Sequence, residues 1–310
     1  MIAIETRGLT RRFGKMTAVD GLSVEVPAGA LFGLIGPNGA GKTTTLRMLA
    51  GLLEPTAGEI VLNGQVANHD WRSLQRQIGY MPDFFGVYED MLVWEYLDFF
   101  GRCHDLPAAR RRQVTDELLA LVDLSAKREA YVQTLSRGMR QRLCLAHTLV
   151  HDPNVLLLDE PASGLDPRAR IEMRELLREL GAMGKTIVVS SHILTELAEL
   201  CDSVGIIEKG RLVFSGSLEE ISRRVQQGRT LRLKVLSDQA EAEAVLGDCR
   251  GVGEVYEVNG FLEVEFVGDD EATAGLLAAL VARNIKVLSF SEVTSDLEEA
   301  FLRLTKGEVA

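Results

Sequence analysis

The chain has 310 residues, 46% of them hydrophobic and 25% charged, enough to bury one large core or two ordinary ones. Its formal net charge of −11 argues against a broad electrostatic grip on nucleic acid, and nucleic acid is not expected as a partner. No run reaches the roughly 18 apolar residues of a membrane span, and the opening MIAIETRGLTRRF lacks the apolar stretch of a secretory signal.

Residues 1–35 read as short strands and turns, with AVDGLSVEVPAG alternating apolar and polar positions before a Pro/Gly turn. ALFGLIG is an apolar run ending at Gly36, and TTTLRMLAGLL repeats apolar residues at helical spacing. Between them, Gly36, Gly41, Lys42 and Thr43 fit G-x-x-x-x-G-K-[ST]. Glycines let backbone N–H groups wrap phosphates without side-chain clashes. Lys42 reaches for the β- and γ-phosphates, the Thr43 hydroxyl for Mg²⁺, and the helix turns its positive end to the anion. Asn38, Gly39 and Thr44 complete this nucleotide-binding loop.

GEIVLNG forms a further strand and turn, and residues 92–124 read as mainly helical with a break near Pro107. Residues 139–151 form an apolar-faced helix carrying Cys144, His147 and His151 near one face. With no fourth ligand in sight, packing is favoured there over a metal. Cys103, Cys144, Cys201 and Cys249 form no C-x-x-C pair and read as reduced thiols of a cytosolic protein.

VLLLDE is a buried strand that delivers Asp159 and Glu160 at its tip, Asp159 to hold Mg²⁺ and Glu160 to polarise an attacking water. An acid poised for water points to hydrolysis rather than transfer to a substrate hydroxyl. PRARIEMRELLRELG is an amphipathic helix opened by Pro and closed by Gly, and KTIVVSSH is a second buried strand. Strands alternating with helices predict a mainly parallel sheet in an α/β domain.

Near Gly216 the pattern changes to strand, helix, strand, an Asn259-Gly260 turn, strand, helix and strand, the βαββαβ order of a ferredoxin-like α+β domain. A last helix, SDLEEAFLRLT, closes the chain. The expected domains are 1–218 and 229–310, the second without a catalytic motif and read as a dimerising or regulatory addition.

GPNGAGKTT, IGYMPD, LSRGMRQRL, VLLLDEP, SGLDP and SSH follow one another over residues 2–215. In this order the chain resembles the ATP-binding subunit of an ABC transporter, of the ABC-2 drug- or polymer-exporter type. The resemblance implies a P-loop ATPase fold, ATP and Mg²⁺ as cofactors, and a head-to-tail homodimer or a heterodimer with a similar subunit. Ser136 and Gly138 would contact the γ-phosphate of the partner's ATP, Phe13 would stack on adenine, His192 would hold the γ-phosphate, and Asp166 would cross the dimer interface. Two positions depart from the family pattern. Arg137 and Met139 replace a glycine and a glutamine of the signature, and Asp83 stands where Gln usually contacts Mg²⁺ and the water. Asp83 can ligate Mg²⁺ but adds negative charge beside the γ-phosphate.

YMPDFFGVYEDMLVWEYLDFF holds four of the 11 Phe, three of the five Tyr and one of the two Trp. Phe84, Phe85 and Tyr88 are expected to form the groove that receives a helix of an integral membrane permease. The protein is then cytoplasmic and peripheral on the inner face of the cell membrane. The competing readings are a soluble ABC ATPase of translation or DNA maintenance, and a regulatory module that binds ATP and hydrolyses it weakly.

Overall fold

The computed structural model describes residues 1–67, 75–83, 86, 88, 90–217, 220, 229–236, 239–258 and 260–293. β1 (Ile2–Phe13) and β2 (Met16–Pro27) are antiparallel partners joined at Gly14, whose φ of 58° suits a tight reversal. The sequence pattern predicts shorter strands here. Two 12-residue strands form instead, because irregularities such as that between Thr6 and Leu9 let a long ribbon bend without breaking. β4 (Ala57–Leu62) pairs antiparallel with β1, and β5 (Gln65–Val66) with β4.

The second sheet is built from β3 (Leu31–Ile35), β6 (Ile78–Met81), β7 (Val155–Asp159), β8 (Thr186–Ser191), β9 (Ser203–Glu208) and β10 (Arg211–Ser217). Its order is β10-β9-β3-β8-β7-β6, and the pairs β9–β3, β3–β8, β8–β7 and β7–β6 are parallel. Every residue of β7 and β8 is buried. Parallel strands covered on both faces read as unbroken apolar runs, which is why VLLLD and TIVVSS do not alternate.

α1 (Lys42–Leu49) follows β3 directly. α2 (Val93–Cys103), α3 (Ala108–Leu121) and α4 (Arg137–Thr148) lie between β6 and β7 in sequence. α5 (Pro167–Ala182) joins β7 to β8, and α6 (Leu194–Ala198) leads from β8 towards β9. Ser136 caps α4 by accepting the Met139 amide at 3.3 Å, and Asp166 caps α5 by accepting the Ala169 amide at 3.0 Å, ahead of Pro167 in the first turn. The core cluster joins Leu22, Ile60, Leu46, Leu157 and Val188, so the antiparallel sheet, α1 and the parallel sheet share one interior. Burying each such side chain contributes roughly 1.5–3 kcal/mol. Because the central strands are parallel, Gly36, Asp83, Asp159, Glu160 and His192 all lie at or just past carboxyl ends of strands in that sheet.

The chain divides into two compact units between Gly216 and Ser217. The second unit is formed by β11 (Arg229–Val235), α7 (Gln239–Gly247), β12 (Val252–Val258), β13 (Phe261–Phe266), α8 (Asp270–Ala282) and β14 (Val287–Val293). Its sheet order, β12-β13-β11-β14 with every pair antiparallel, is the ferredoxin-like arrangement that βαββαβ predicts. Leu262, Val264 and Phe266 of β13 point into a core with Leu231, Leu233, Leu246 and Leu280, while Glu263 points the other way and pairs with Arg232. Gly260 turns with φ 80°, whereas Asn259 and the closing segment 295–305 lie outside the described residues.

Candidate active site

Glycine is required at two points of the loop between β3 and α1. An added Cβ at Gly36 would collide with the Ile207 carbonyl, and one at Gly41, where φ is 107°, would lie 2.5 Å from the Ala18 carbonyl. Lys42 opens α1 and is 6% exposed. Its Nζ donates to Gly36 O at 2.6 Å and Pro37 O at 3.3 Å and lies 3.4 Å from Glu160 Oε1. The cation is thereby pinned to the floor of the cleft.

Asp159, at the end of β7, is 1% exposed. Its Oδ1 accepts the Ser190 hydroxyl at 2.7 Å, while its buried Oδ2 has no protein donor. A buried carboxylate oxygen without a donor is costly and suits a metal ligand, so Asp159 fits Mg²⁺, and Thr43, which lines the cleft with Lys42 and Glu160, offers a hydroxyl of the right kind. Ser190 Oγ also accepts the Glu160 amide at 2.9 Å. Glu160 takes a left-handed φ of 50°, and its Oε2 lies 2.9 Å from His192 Nδ1.

Phe13, Lys42, Thr43, Asp83, Glu160 and His192 line one open cleft of about 380 Å³, together with loop residues from Asn38 to Thr44. Phe13 is 43% exposed, and the Arg11 guanidinium sits 4.7 Å from its ring centroid. Burial pushes the Asp83 carboxyl above its ordinary value, and the charges of Asp159 and Glu160 push it further. A deep phosphate cradle, a cation at its floor, an orphaned carboxylate oxygen and an acid–imidazole pair suit hydrolysis of a nucleoside triphosphate.

A family model described as "ABC transporter" matches residues 19–163. The Nod factor export ATP-binding protein I of Ralstonia nicotianae is 39% identical over 99% of this chain and 94% of its own length. The daunorubicin/doxorubicin resistance ATP-binding protein DrrA of Streptomyces peucetius is 36% identical over 98% and 92%. The chain belongs to the ATP-binding subunits of ABC transporters. Among solved structures, one titled "Structure of ATP binding subunit of ABC transporter" matches at 30% identity and TM-score 0.65, covering 72% of this chain and 93% of that one. Another, cbiO1 from Clostridium perfringens, part of the ABC transporter complex cbiONQ, matches at 25% identity and TM-score 0.65, covering 73% and 94%.

This ABC subunit is thus an ATPase of the exporter-type group, and ATP is its nucleotide. Likeness along nearly the whole chain to transporter subunits favours that reading over the soluble ATPases of translation and DNA maintenance. Ser136 and Gly138 do not line the cleft of their own chain. They line a second one, of about 320 Å³, with Arg137, Met139 and Asp166. Asp166 spends one carboxylate oxygen on its own helix cap.

Sequence reasoning passed over two residues of the candidate site. Ser190 holds both acids, and the signal was a hydroxyl at the end of a buried strand beside the acidic one. Ser163 lines the same cleft as Lys42 and Glu160, and its carbonyl accepts Arg137 Nη2 at 3.1 Å, a contact with no local sequence signature. Tyr88 is exposed, with its ring 5.3 Å from Phe99 and 6.4 Å from Tyr96, whereas Phe84 and Phe85 lie outside the described residues.

The helix expected over 139–151 ends at Thr148, so His147 lies on α4 and His151 in the turn after it, and each ring is packed. The His147 ring stacks on Phe100 at 4.2 Å and His151 on His104 at 4.0 Å. His151 Nε2 lies 2.9 Å from Ile78 O. Among the described residues no group of three or more His, Cys, Asp or Glu is placed to hold a metal.

Proposed function

We propose that this subunit is the motor of an exporter. In this reading it works as a head-to-tail dimer, most simply with a second copy of itself, and drives a separate integral membrane permease. The observation that carries the reading is the division of the site. One chain presents its phosphate loop, Asp83, Glu160 and His192 in one cleft, and Ser136 and Gly138 in another. A second chain turned end for end brings its Ser136 and Gly138 to the first cleft, so that ATP lies between the two. The helix end behind Ser136 then offers its free amides to the γ-phosphate.

Within the closed site, Glu160 accepts a proton from the water as its oxygen attacks the γ-phosphorus. The bond to the bridging oxygen breaks, and ADP and phosphate leave. His192 holds the γ-phosphate, and its contact with Glu160 orients the carboxylate. Lys42 neutralises charge on the β- and γ-phosphates. Mg²⁺, held by Thr43 and Asp159 with Asp83 beside them, would neutralise the charge that develops on the phosphate oxygens. Phe13 stacks on the adenine. Asp166 spans the interface and ties the two sites together.

No helix among the described residues is long and apolar enough to cross a membrane, so in this reading the permease is a partner, and it holds the subunit on the inner face of the membrane. The exposed Tyr88 contributes to the surface that receives a permease helix. The unit spanning 229–310 clamps the dimer. Export as the direction rests on relatives named for Nod factor export and for drug resistance.

The test is a pull-down of the tagged chain from detergent-solubilised membranes, with ATP and a Glu160→Gln change that holds the dimer closed. Recovery of an integral membrane protein with several spans supports the reading. Recovery with ribosomal or nucleic-acid partners, or with none, overturns it.

A further inference from the structure

Arg137 stands where the related signature has a glycine, and its side chain has a defined seat. Arg137 begins α4, one residue after the Ser136 cap. Its Nη2 donates to Ser163 O at 3.1 Å, and the guanidinium lies so close over Gly164 that an added Cβ there would collide with it. Gly164 has a φ of 66°, so the loop beneath the guanidinium takes a turn that glycine adopts at least cost. Ser163 N in turn donates to Glu160 O at 3.0 Å, and the Ser163 side faces the nucleotide cleft with Glu160 and His192.

The other end of this loop is gripped as well. Leu165 O accepts Arg170 Nε at 3.0 Å, and Arg170 Nη1 meets Glu196 Oε1 at 3.0 Å. Glu196 Oε2 accepts the Ser191 hydroxyl at 3.4 Å, immediately before His192. The loop 163–165 is therefore held between two arginines. One comes from the signature and the other leads to the catalytic histidine.

We propose that Arg137 is a positioning residue that couples the two half-sites carried by one chain. Its helix end serves the ATP bound by the partner subunit. Its guanidinium sets the 163–165 loop, and through it Glu160 and His192 at this chain's own ATP. A planar guanidinium that donates to a carbonyl while lying on a glycine peptide tolerates little displacement, so a small movement of the α4 end is passed to the loop. The inference rests on the head-to-tail reading above.

The experiment uses the full chain and compares the parent with Arg137→Gly and Arg137→Lys. ATPase rate is measured against ATP concentration for the Hill coefficient and kcat, sedimentation reports dimerisation with ATP, and a fluorescent ATP analogue reports nucleotide affinity of the monomer. The parent is expected to be cooperative. Arg137→Gly should bring the Hill coefficient to 1 and lower kcat about tenfold, with analogue affinity within about twofold. Lysine can still donate to Ser163 O, so Arg137→Lys should keep part of the cooperativity.

Retained cooperativity and kcat in Arg137→Gly would overturn the proposal while leaving the dimer reading intact. A parent that stays monomeric with ATP and shows a Hill coefficient of 1 would overturn the head-to-tail reading, and the proposal with it.

Discussion

The Ser190 hydroxyl donates to Asp159 Oδ1 at 2.7 Å and receives the Glu160 amide at 2.9 Å, so one side chain on β8 sets two acids on the neighbouring strand end. Replacing it leaves a buried carboxylate oxygen and an amide without their partner. Ser190→Ala is expected to cost about 1–3 kcal/mol of stability. It should also raise the Mg²⁺ concentration that gives half-maximal ATPase activity. Thermal unfolding and a Mg²⁺ titration of phosphate release check both.

Glu160 and His192 meet at 2.9 Å and act on the same water and γ-phosphate in the proposed mechanism. Glu160→Gln and His192→Ala should each lower phosphate release by about 10²–10⁴-fold. ATP affinity should change far less, because Lys42 and the loop amides remain. A parallel fall in binding, measured by equilibrium dialysis, would contradict this division of roles.

Phe13 offers a half-open ring at the cleft wall with Arg11 stacked on it. Loss of base stacking costs about 1–3 kcal/mol, so Phe13→Ala should weaken ATP binding roughly tenfold. Phe13→Trp should keep affinity near the parent's. Equal affinity in the alanine variant would assign the ring to packing instead.

His147 and His151 are both pushed down from 6.5 to about 4, chiefly by burial. The native state holds them neutral, while the unfolded chain takes up protons below about pH 6.5. Their contribution to stability is therefore complete above that pH and is lost as pH falls towards 4. The melting temperature should drop over this window. His147→Phe, which keeps a ring against Phe100 and cannot be protonated, should shallow the slope. Calorimetry at stepped pH decides.

Tyr88 is 54% exposed, and its ring rests on Phe99. Tyr88→Ala is expected to abolish co-purification of the permease while leaving ATP binding and the melting temperature nearly unchanged. A large loss of stability would make the ring part of the core.

Much of the fold is legible from local pattern. VLLLD and TIVVSS announce buried parallel strands because their burial is two-sided, and Leu262, Val264 and Phe266 announce a one-faced strand by alternating with Glu263 and Glu265. The length of β1 and β2 was not legible, since a bend in a strand carries no composition of its own.

What the sequence by itself determined are the features set by backbone conformation and chain neighbours. These are the left-handed turn that Gly41 supplies to the phosphate loop, the caps at Ser136 and Asp166, and the acids at the end of β7. Only the tertiary structure decided which of these meet. The parallel register of β3, β6, β7 and β8 brings Lys42, Asp83, Glu160 and His192 to one edge, although some 150 residues separate the first from the last. The same packing puts Ser136 in another cleft and lays Arg137 across Gly164. Where a long side chain comes to rest depends on the surfaces assembled around it, and those surfaces belong to no single stretch of chain.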